Sequence, residues 1–408
     1  MIHYVYQLCR GLSEAGADVT LVTDCNYELD GLPHPFRVNK LLRLWDARPQ
    51  SESSPRRPLR KKLRRFARAF IYYREWIRLI LYLRRQRPDL VQLGDLRFAS
   101  DYPFVLLLRF LGLKLIDICH NVRPFALGGG GAGLFRLSRW EQLLFEKIYQ
   151  SCDLVAVHFE ANRREFLSTF DVEPDRVIAI PLGNEMIFEE LRNPSANATR
   201  LREELSLSSE NQVVLLFGTL SRYKGIEVLL EAFAIVRRAD IRALLVIAGF
   251  ALPDFDLSAI SARVHELRLD AVVRIVPRYI EPGWVAAWME LANVAVFPYR
   301  FVYQSAALQV AQSLGVPVVV TNVGAMAEAV SDNETGLVVR SEDAAALAEA
   351  VLRILHQPEL AHRLSRRAAE NARTQFSWGL IARRLLDRYR LVLEDGRVRV
   401  RYQPKEGL

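Results

Sequence analysis

Cysteine is scarce in this chain of 408 residues. Only four occur, and no two of them form a CxxC pair: Cys9, Cys25, Cys119 and Cys152. Zinc sites and disulfide frameworks need cysteines at paired, regular spacings, so neither is expected here. Because the four cysteines lie in apolar, strand-like or helix-like stretches, they are predicted to be reduced core thiols of a cytosolic protein.

Long hydrophobic runs are also missing. No stretch reaches the roughly 18 uncharged apolar residues that a membrane-spanning helix needs. Met1 is followed by an amphipathic helical pattern instead of a signal peptide. These absences predict a cytoplasmic location. Low-complexity segments are absent too, and half of the residues are apolar while a quarter are charged, as in ordinary globular proteins.

Positive charge is concentrated in the first half of the chain. Residues 1–200 hold 30 Lys and Arg against 23 Asp and Glu, while the remainder holds 25 against 24. Much of the excess lies in residues 56–87, where apolar residues recur at helical spacing between arginines. Four aromatic residues fall near the polar edge of this pattern: Tyr72, Tyr73, Trp76 and Tyr82. A basic amphipathic helix is typical of peripheral attachment to an anionic membrane, here the inner face. The alternative is a solvated helix packed on its own domain. Nucleic acid is not expected as a partner, because no binding module accompanies the patch.

Short β-type runs alternate with helical patterns in both halves. They occupy 17–23, 90–93, 113–118, 154–157 and 177–180, and after a polar stretch they resume at 213–217, 243–248, 272–276, 294–298, 317–321 and 337–339. This alternation predicts an α/β protein with two doubly wound parallel sheets joined near residue 185, in keeping with a length above the roughly 250–300 residues of one core. Ligands of such sheets bind beyond the carboxyl ends of the strands.

A glycine-bearing turn follows the first strand of the second half. Residues 218–225 read Gly-Thr-Leu-Ser-Arg-Tyr-Lys-Gly and precede a helical pattern. Gly218 and Gly225 allow a close backbone approach, and Arg222 and Lys224 stand at the helix start, where free amides attract anions. The turn predicts a diphosphate site, with an ordinary solvated turn as the alternative.

Later loops of the second half complete a known pattern. In order, the segments are Gly218-x-x-x-x-Tyr-Lys-Gly225, Arg278-Tyr-Ile280, Phe297-Pro-Tyr299, Gln304-Ser305, Gly315-x-Pro317, Val323-Gly-x-x-x-Glu328 and Glu334-Thr-Gly-Leu337. Over 213–389 this order and spacing resemble glycosyltransferase family 4, the retaining glycosyltransferases of GT-B fold. The first half agrees through Cys119-His-Asn-Val122 and Asp153-Leu-Val-Ala-Val-His158.

The resemblance implies two Rossmann-like domains facing across a cleft. The acceptor-binding domain is expected at 1–184 and the donor-binding domain at 185–376, with 377–408 forming a closing helix that crosses back onto the first domain, and a tail. The family opens with a central strand and a Gly-Gly loop, whereas this chain begins inside the helix that follows them. The first strand of the N-terminal domain is therefore expected to be missing, and a misplaced start or a truncated gene is the hypothesis.

The resemblance also implies roles for individual residues. The donor is expected to be a UDP-sugar or GDP-sugar, and no metal or other cofactor is expected, because fixed cations and helix dipoles stabilise the departing diphosphate. Gly218, Arg222 and Lys224 are expected at the diphosphate. The helix start formed by Ser305, Ala306, Ala307 and Leu308 is expected to offer amides to the phosphates or the donor sugar.

Other roles are left with alternatives. Tyr279 and Ile280 are expected to border the base, with a packing role as the alternative. His120 is expected as the catalytic residue near the transferring centre, while His158 is expected to pack at a strand end. Glu328 either binds the donor or caps the next helix.

Two valines depart from the family pattern. Most members carry Glu-x7-Glu where this chain has Val302 and Val310, so neither carboxylate is available to the donor. A branch with Gln-Ser-Gly in this loop also lacks the pair, and Gln304 is expected to take over part of the recognition.

We therefore expect a glycosyltransferase that extends a glycan or polyprenyl-linked acceptor of the cell envelope with retention of configuration. The alternative is a catalytically inactive GT-B protein that acts as a binding or assembly partner. A sugar-nucleotide epimerase of the same fold would not explain the Tyr-Lys-Gly turn together with the Gly-x-x-x-Glu loop.

Overall fold

The computed structural model describes residues 2–44, 58–94, 96, 98–123 and 137–401, with side chains for all of these except 58–65 and 395–401. Arg56 and Arg57 of the predicted basic segment, and the side chains from residue 58 to 65, lie outside the described residues. No helix in the described ranges is both long and apolar enough to cross a membrane.

The first half alternates helices and strands. Its elements are α1 (Ile2–Glu14), β1 (Thr20–Asp24), β2 (Arg37–Leu42), α2 (Pro58–Gln86), β3 (Leu90–Gly94), α3 (Tyr102–Phe110), β4 (Lys114–Cys119), α4 (Arg139–Gln150), β5 (Leu154–His158), α5 (Phe159–Thr169) and β6 (Val177–Ile180). A four-stranded parallel sheet has the order β3-β4-β5-β6, and β1 and β2 form a separate parallel pair. Strand β2 is one that the sequence analysis did not predict.

The second half contains a larger sheet. Its elements, with the closing helix, are α6 (Ile187–Glu190), α7 (Ala198–Glu204), β7 (Gln212–Phe217), α8 (Ile226–Ala239), β8 (Ala243–Ala248), α9 (Leu257–Glu266), β9 (Val273–Val276), α10 (Val285–Leu291), β10 (Val294–Phe297), α11 (Ala306–Ser313), β11 (Val318–Thr321), α12 (Met326–Ala329), β12 (Leu337–Val339), α13 (Ala344–His356), α14 (Pro358–Thr374) and α15 (Trp378–Arg401).

All pairings in this six-stranded sheet are parallel, with the order β12-β11-β10-β7-β8-β9. Strands β8, β10 and β11 are buried along their whole length, as expected for a sheet covered on both faces. The strand order reverses between β7 and β10, so the loops after these two strands meet at a topological switch point, where open α/β sheets bind ligands. The predicted α/β, doubly wound architecture is confirmed.

Helix α15 returns to the first half of the chain. It packs along α1, and Tyr389 Oη donates a hydrogen bond to Gln92 Oε1 of β3 at 2.5 Å. At its start, Trp378 Nε1 donates to Asn184 O at 2.8 Å. The closing helix therefore contacts both the first half and the segment that joins the two sheets.

Helix α2 forms where the basic amphipathic pattern predicts it. One residue was placed wrongly: Trp76, expected near the polar edge, is only 7% exposed. Its ring stacks on Phe104 of α3 with centroids 5.4 Å apart. Trp76 therefore anchors α2 to the domain.

Candidate functional site

The loops after β7 and β10 are held together at the switch point. Arg300 N donates to Tyr223 O at 2.8 Å, which joins the glycine-bearing turn 218–225 to the loop after β10. Gly225 has φ 65°, and a Cβ at this position would lie 2.0 Å from Pro298 O. The two loops approach so closely because residue 225 has no side chain.

Lys224 is the buried cation of this turn. It is 4% exposed, and its Nζ donates to Tyr299 Oη at 2.5 Å and lies 4.3 Å from the centre of that ring. Burial lowers the pKa of Lys224 and raises the pKa of Tyr299, so the phenol stays neutral and provides no counter-charge. Among the described residues, no carboxylate pairs with Lys224. Because an unpaired buried charge is costly, an anion bound beside Lys224 would lower the cost of burying this ammonium.

The amino end of α11 faces the same point. Ser305 caps the helix by accepting a hydrogen bond from Leu308 N at 3.2 Å, and its Oγ lies 3.4 Å from Tyr299 Oη. A Cβ on Gly218 would lie 3.2 Å from Ala307 Cβ and 3.5 Å from Lys224 Nζ. The residues that meet here are Gly218, Lys224, Tyr299, Ser305 and Ala307. The first-turn amides of α11, which begins at Ala306, and the Lys224 ammonium both favour negative charge at this point.

Three other predicted site residues lie outside this group: Arg222, Tyr279 and Ile280. Arg222 is exposed at the mouth of the turn. Tyr279, 59% exposed, and Ile280 follow β9, the edge strand two positions from β7. The neighbouring Arg278 forms an ion pair with Glu204.

Glu328 binds a helix of the other half. Its carboxylate accepts hydrogen bonds from Glu160 N at 2.8 Å and Ala161 N at 2.7 Å, at the amino end of α5. Capping was one of its two predicted roles, but the helix concerned is α5 and not the next helix in the chain. The carboxylate therefore links the two halves.

His120 and His158 lie side by side at the carboxyl ends of β4 and β5. His120 Nδ1 lies 2.8 Å from His158 Nε2, and both residues are buried. Gln304, from the loop after β10, places its Nε2 3.2 Å from His120 Nδ1. For His158, which resembles a family position, packing at a strand end was the favoured prediction. The motif Asp153-Leu-Val-Ala-Val-His158 was the signal that could have linked it to His120, because β4 and β5 are neighbours.

The positions of the family's two carboxylates are filled by buried apolar side chains. Val302 is 4% exposed and Val310, on α11, is 3% exposed. Neither side chain can accept a hydrogen bond. In the described part of the chain, no group of three His, Cys, Asp or Glu side chains could hold a metal ion.

Two family models match the chain. The model for glycosyltransferase family 4 covers residues 2–184, and that for glycosyl transferases group 1 covers residues 197–371. The D-inositol 3-phosphate glycosyltransferase of Corynebacterium efficiens is 28% identical over 247 residues, which is 60% of this chain and 58% of that protein. The enzyme of the same name from Saccharomonospora viridis is 30% identical over 291 residues, 68% of this chain and 65% of that protein. The chain thus spans 58% of the length of the first of these relatives.

Solved structures share the fold over nearly the whole chain. Sucrose-phosphate synthase from Thermosynechococcus elongatus has a TM-score of 0.67 at 24% identity, covering 96% of this chain and 93% of its own. Anabaena HepE in complex with UDP has a TM-score of 0.68 at 15% identity, covering 96% of both chains. At these identities the likeness establishes the fold alone.

Proposed function

Because the chain belongs to glycosyltransferase family 4 and has the GT-B fold, we propose that it transfers a sugar from a nucleoside diphosphate sugar to a hydroxyl acceptor. The observation that carries this proposal is the buried Lys224 ammonium, which has no carboxylate partner among the described residues and lies beside the amino end of α11. A diphosphate would supply the missing negative charge. HepE has been solved with UDP and with UDP-glucose, which supports a donor of this class.

The main difficulty of such a reaction is the negative charge that grows on the departing diphosphate. Preorganised cations and helix amides stabilise this charge without having to reorganise. Lys224 and α11 provide both, and Arg222 adds a cation at the mouth of the turn. In this proposal His120 is the catalytic residue beside the donor sugar. Retention of configuration and independence of metal are part of the proposal and rest on family membership.

Lys224→Met tests the assignment. With a panel of UDP-sugars and GDP-sugars, release of nucleoside diphosphate should fall by about 100-fold or more in kcat, the effect of removing one preorganised donor. Lys147→Met is the matched control, because Lys147 is exposed on α4, and its turnover should equal that of the wild type. Unchanged turnover in Lys224→Met would refute the role of Lys224.

The two valines motivate one alternative, a catalytically inactive GT-B protein that acts as a binding partner. Val302 and Val310 remove both carboxylates that most family members offer to the donor. Binding of UDP by the wild type without release of nucleoside diphosphate from any nucleotide sugar would favour this alternative. Turnover by the wild type would exclude it.

We further propose that the acceptor is a lipid-linked or cell-envelope glycan reached at an anionic membrane surface. Helix α2 carries a stripe of exposed apolar side chains at helical spacing: Phe66 at 74%, Phe70 at 70%, Ile77 at 54% and Leu81 at 50%. Phe110 of α3, 87% exposed, and Trp140 of α4, 77% exposed, belong to the same half. The stripe is interspersed with arginines at 68, 74, 78, 84 and 85. Apolar and cationic side chains together fit insertion at a lipid headgroup layer.

Vesicle binding tests the membrane proposal. The protein should co-sediment with vesicles that contain phosphatidylglycerol, and less at high salt. The double variant Phe66→Ser, Phe70→Ser should bind at least about tenfold more weakly, because each exposed aromatic loses its apolar burial. Ile241→Ser is the control, since Ile241 is 77% exposed in the second half. Equal binding by the double variant and the control would favour a solvated helix.

A further inference from the structure

We propose that His158 is a positioning residue that fixes the tautomer of His120, so that His120 Nε2 becomes the hydrogen-bond acceptor for a hydroxyl of the bound sugar. The choice of a sugar hydroxyl as ligand rests on the proposed function. The relation between the two rings is a property of the free protein and can be tested without any substrate.

Three hydrogen-bonding groups form a chain across neighbouring strands. Ile180, the last residue of β6, is the register partner of His158 on β5. His158 Nδ1 lies 3.3 Å from Ile180 O, and His158 Nε2 lies 2.8 Å from His120 Nδ1. His158 is 0% exposed and His120 is 2% exposed, so bulk water does not compete for these contacts.

The carbonyl group sets the direction of this chain. A carbonyl oxygen can only accept, so the proton that joins His158 to Ile180 must lie on His158 Nδ1. Burial and the adjacent His120 hold the pKa of His158 well below its usual range, so the ring is neutral and its Nε2 carries a lone pair. That lone pair accepts the proton on His120 Nδ1. In neutral His120, the remaining lone pair is then on Nε2.

In its present orientation, the side-chain amide of Gln304 favours the opposite tautomer of His120. Its amide nitrogen, 3.2 Å from His120 Nδ1, would suit a lone pair at that atom. His158 Nε2 would then have to donate, and the lone pair on His158 Nδ1 would face the oxygen of Ile180. Among the described residues, buried Gln304 Oε1 has no hydrogen-bond partner. A half-turn of the amide would direct this oxygen to the His120 Nδ1 proton and remove the conflict.

Tyr4 of α1 restricts both rings. Its ring meets His120 edge-on with centroids 4.9 Å apart and meets His158 edge-on at 5.5 Å. Trp378 also packs against Tyr4, with ring centroids 5.1 Å apart. Because this packing holds the imidazoles in place, the hydrogen bond to His158 determines which nitrogen of His120 is protonated. A lone pair on Nε2 can accept a hydrogen bond from a sugar hydroxyl, whereas a protonated Nε2 could only donate.

Nitrogen-15 NMR of histidine-labelled protein tests the tautomer directly. We expect wild-type His120 to have a protonated Nδ1 and an unprotonated Nε2 without any ligand. In His158→Phe the acceptor is lost while an aromatic ring still fills the buried position, so the protonated-Nε2 form should become populated. In His158→Gln an amide oxygen can stand near the former ring Nε2, so the wild-type tautomer should return.

Kinetics supplies the second measurement. His158→Phe should lower kcat by about tenfold or more, because a protonated His120 Nε2 can no longer accept the hydrogen bond from the sugar hydroxyl. The KM for the nucleotide sugar should change little, since Lys224 and α11 are intact, and His158→Gln should recover kcat.

A protonated Nε2 on neutral wild-type His120 would overturn the proposal, and so would a wild-type tautomer or wild-type kcat in folded His158→Phe. If His158→Phe does not fold, the wild-type spectrum and the His158→Gln variant still test the proposed tautomer of His120. Absence of turnover in the wild type would count against the proposed function, while the spectrum would still test the tautomer.

Discussion

Glycine is the residue that fits position 225 in both backbone angle and space. At φ 65°, a Cβ there would lie 2.0 Å from Pro298 O. We expect Gly225→Ala to lower the free energy of unfolding by about 2 kcal/mol or more, because left-handed strain costs about 1 kcal/mol and the overlap adds to it. Urea denaturation measures this change. Gly379→Ala is the control: nothing lies within 4 Å of its Cβ, and in helix α15 the change should stabilise by up to about 1 kcal/mol.

Glu185 should make stability depend on pH. Burial raises the pKa of Glu185 to about 8, from 4.5, although Gln7 Nε2 donates a hydrogen bond to its carboxylate at 3.1 Å. Between these two values the folded protein keeps a proton that the unfolded chain releases. Stability should therefore fall as pH rises from about 4.5 through about 8, with a slope approaching 1.4 kcal/mol per pH unit.

Glu185→Gln removes this dependence while an amide oxygen can still accept from Gln7. Its advantage in free energy of unfolding over the wild type should grow between pH 5 and pH 8. Glu359→Gln, at an exposed position on α14, should follow the wild-type profile. Parallel profiles for Glu185→Gln and the wild type would show that the Glu185 carboxyl is ionised in the folded protein.

The sequence could nominate Lys224 and His120 as candidates, because each belongs to a motif with its own local chemistry. It could not identify what those side chains contact. Tyr299 lies 75 residues from Lys224, and His158 lies 38 residues from His120. These pairs form only when neighbouring parallel strands align their carboxyl ends, and that alignment depends on strand order and register.

At the scale of elements, the amino end of α5 depends on a residue from the other half. The Glu328 carboxylate satisfies two backbone amides there, at 2.7 and 2.8 Å. We expect Glu328→Ala to lower the free energy of unfolding by about 1–2 kcal/mol, the usual effect of losing a helix cap and its favourable charge. Thermal or urea unfolding of the free protein measures it.

Glu334→Ala is the matched control for this prediction. Glu334 is 63% exposed, and its contact with Arg367 is a surface ion pair at 3.6 Å, which contributes at most about 1 kcal/mol. Equal stabilities for the Glu328 and Glu334 variants would mean that the cap contributes nothing to the fold. Glu328 would then be available for the donor role.

Elements with strong periodicity were predictable, and weakly patterned ones were not. Strands β8, β10 and β11 are continuous apolar runs because both faces of the sheet are covered, and helix α8 follows from its 3.6-residue pattern. Strand β2, with the sequence Arg-Val-Asn-Lys-Leu-Leu, is exposed or half-buried along its length. Because β2 has no buried face, its sequence lacks the apolar and polar alternation that predicts a strand.

At the scale of the whole molecule, contacts of several kinds link the halves in the described part of the chain, and Asn162 Nδ2 of α5, for example, donates to Tyr303 O at 2.8 Å. Gln304 reaches His120, Glu328 caps α5, and α15 packs along α1. Gln304 lies in the loop after β10 and Glu328 lies on α12, whereas the third contact is made between two helices. The loop after β10 therefore carries both Ser305, whose Oγ lies 3.4 Å from Tyr299 Oη, and Gln304, which contacts His120 of the first half. This arrangement depends on the strand order and on the return of α15 to the first half. Neither can be read from a local stretch of sequence.

Substitution of Trp378 measures how much the closing helix α15 contributes to the free energy of unfolding. Trp378 is 7% exposed, its Nε1 donates to Asn184 O at 2.8 Å, and a Cβ on Gly183 would lie 2.3 Å from its ring. The indole thus fills the space between α1, the connecting segment and α15. We expect Trp378→Ala to cost about 3–5 kcal/mol in free energy of unfolding, as for other buried aromatic residues.

Trp378→Phe separates packing from hydrogen bonding. It keeps most of the apolar contact but leaves the Asn184 carbonyl without its donor, so it should cost less than Trp378→Ala and more than about 1 kcal/mol. Trp140→Ala is the control, because Trp140 is 77% exposed, and it should stay within about 0.5 kcal/mol of the wild type in buffer. If Trp378→Ala unfolded at the same urea concentration as Trp140→Ala, α15 would not stabilise the junction. The contacts of Tyr303, Gln304 and Glu328 with the first half would then be the ones to test next.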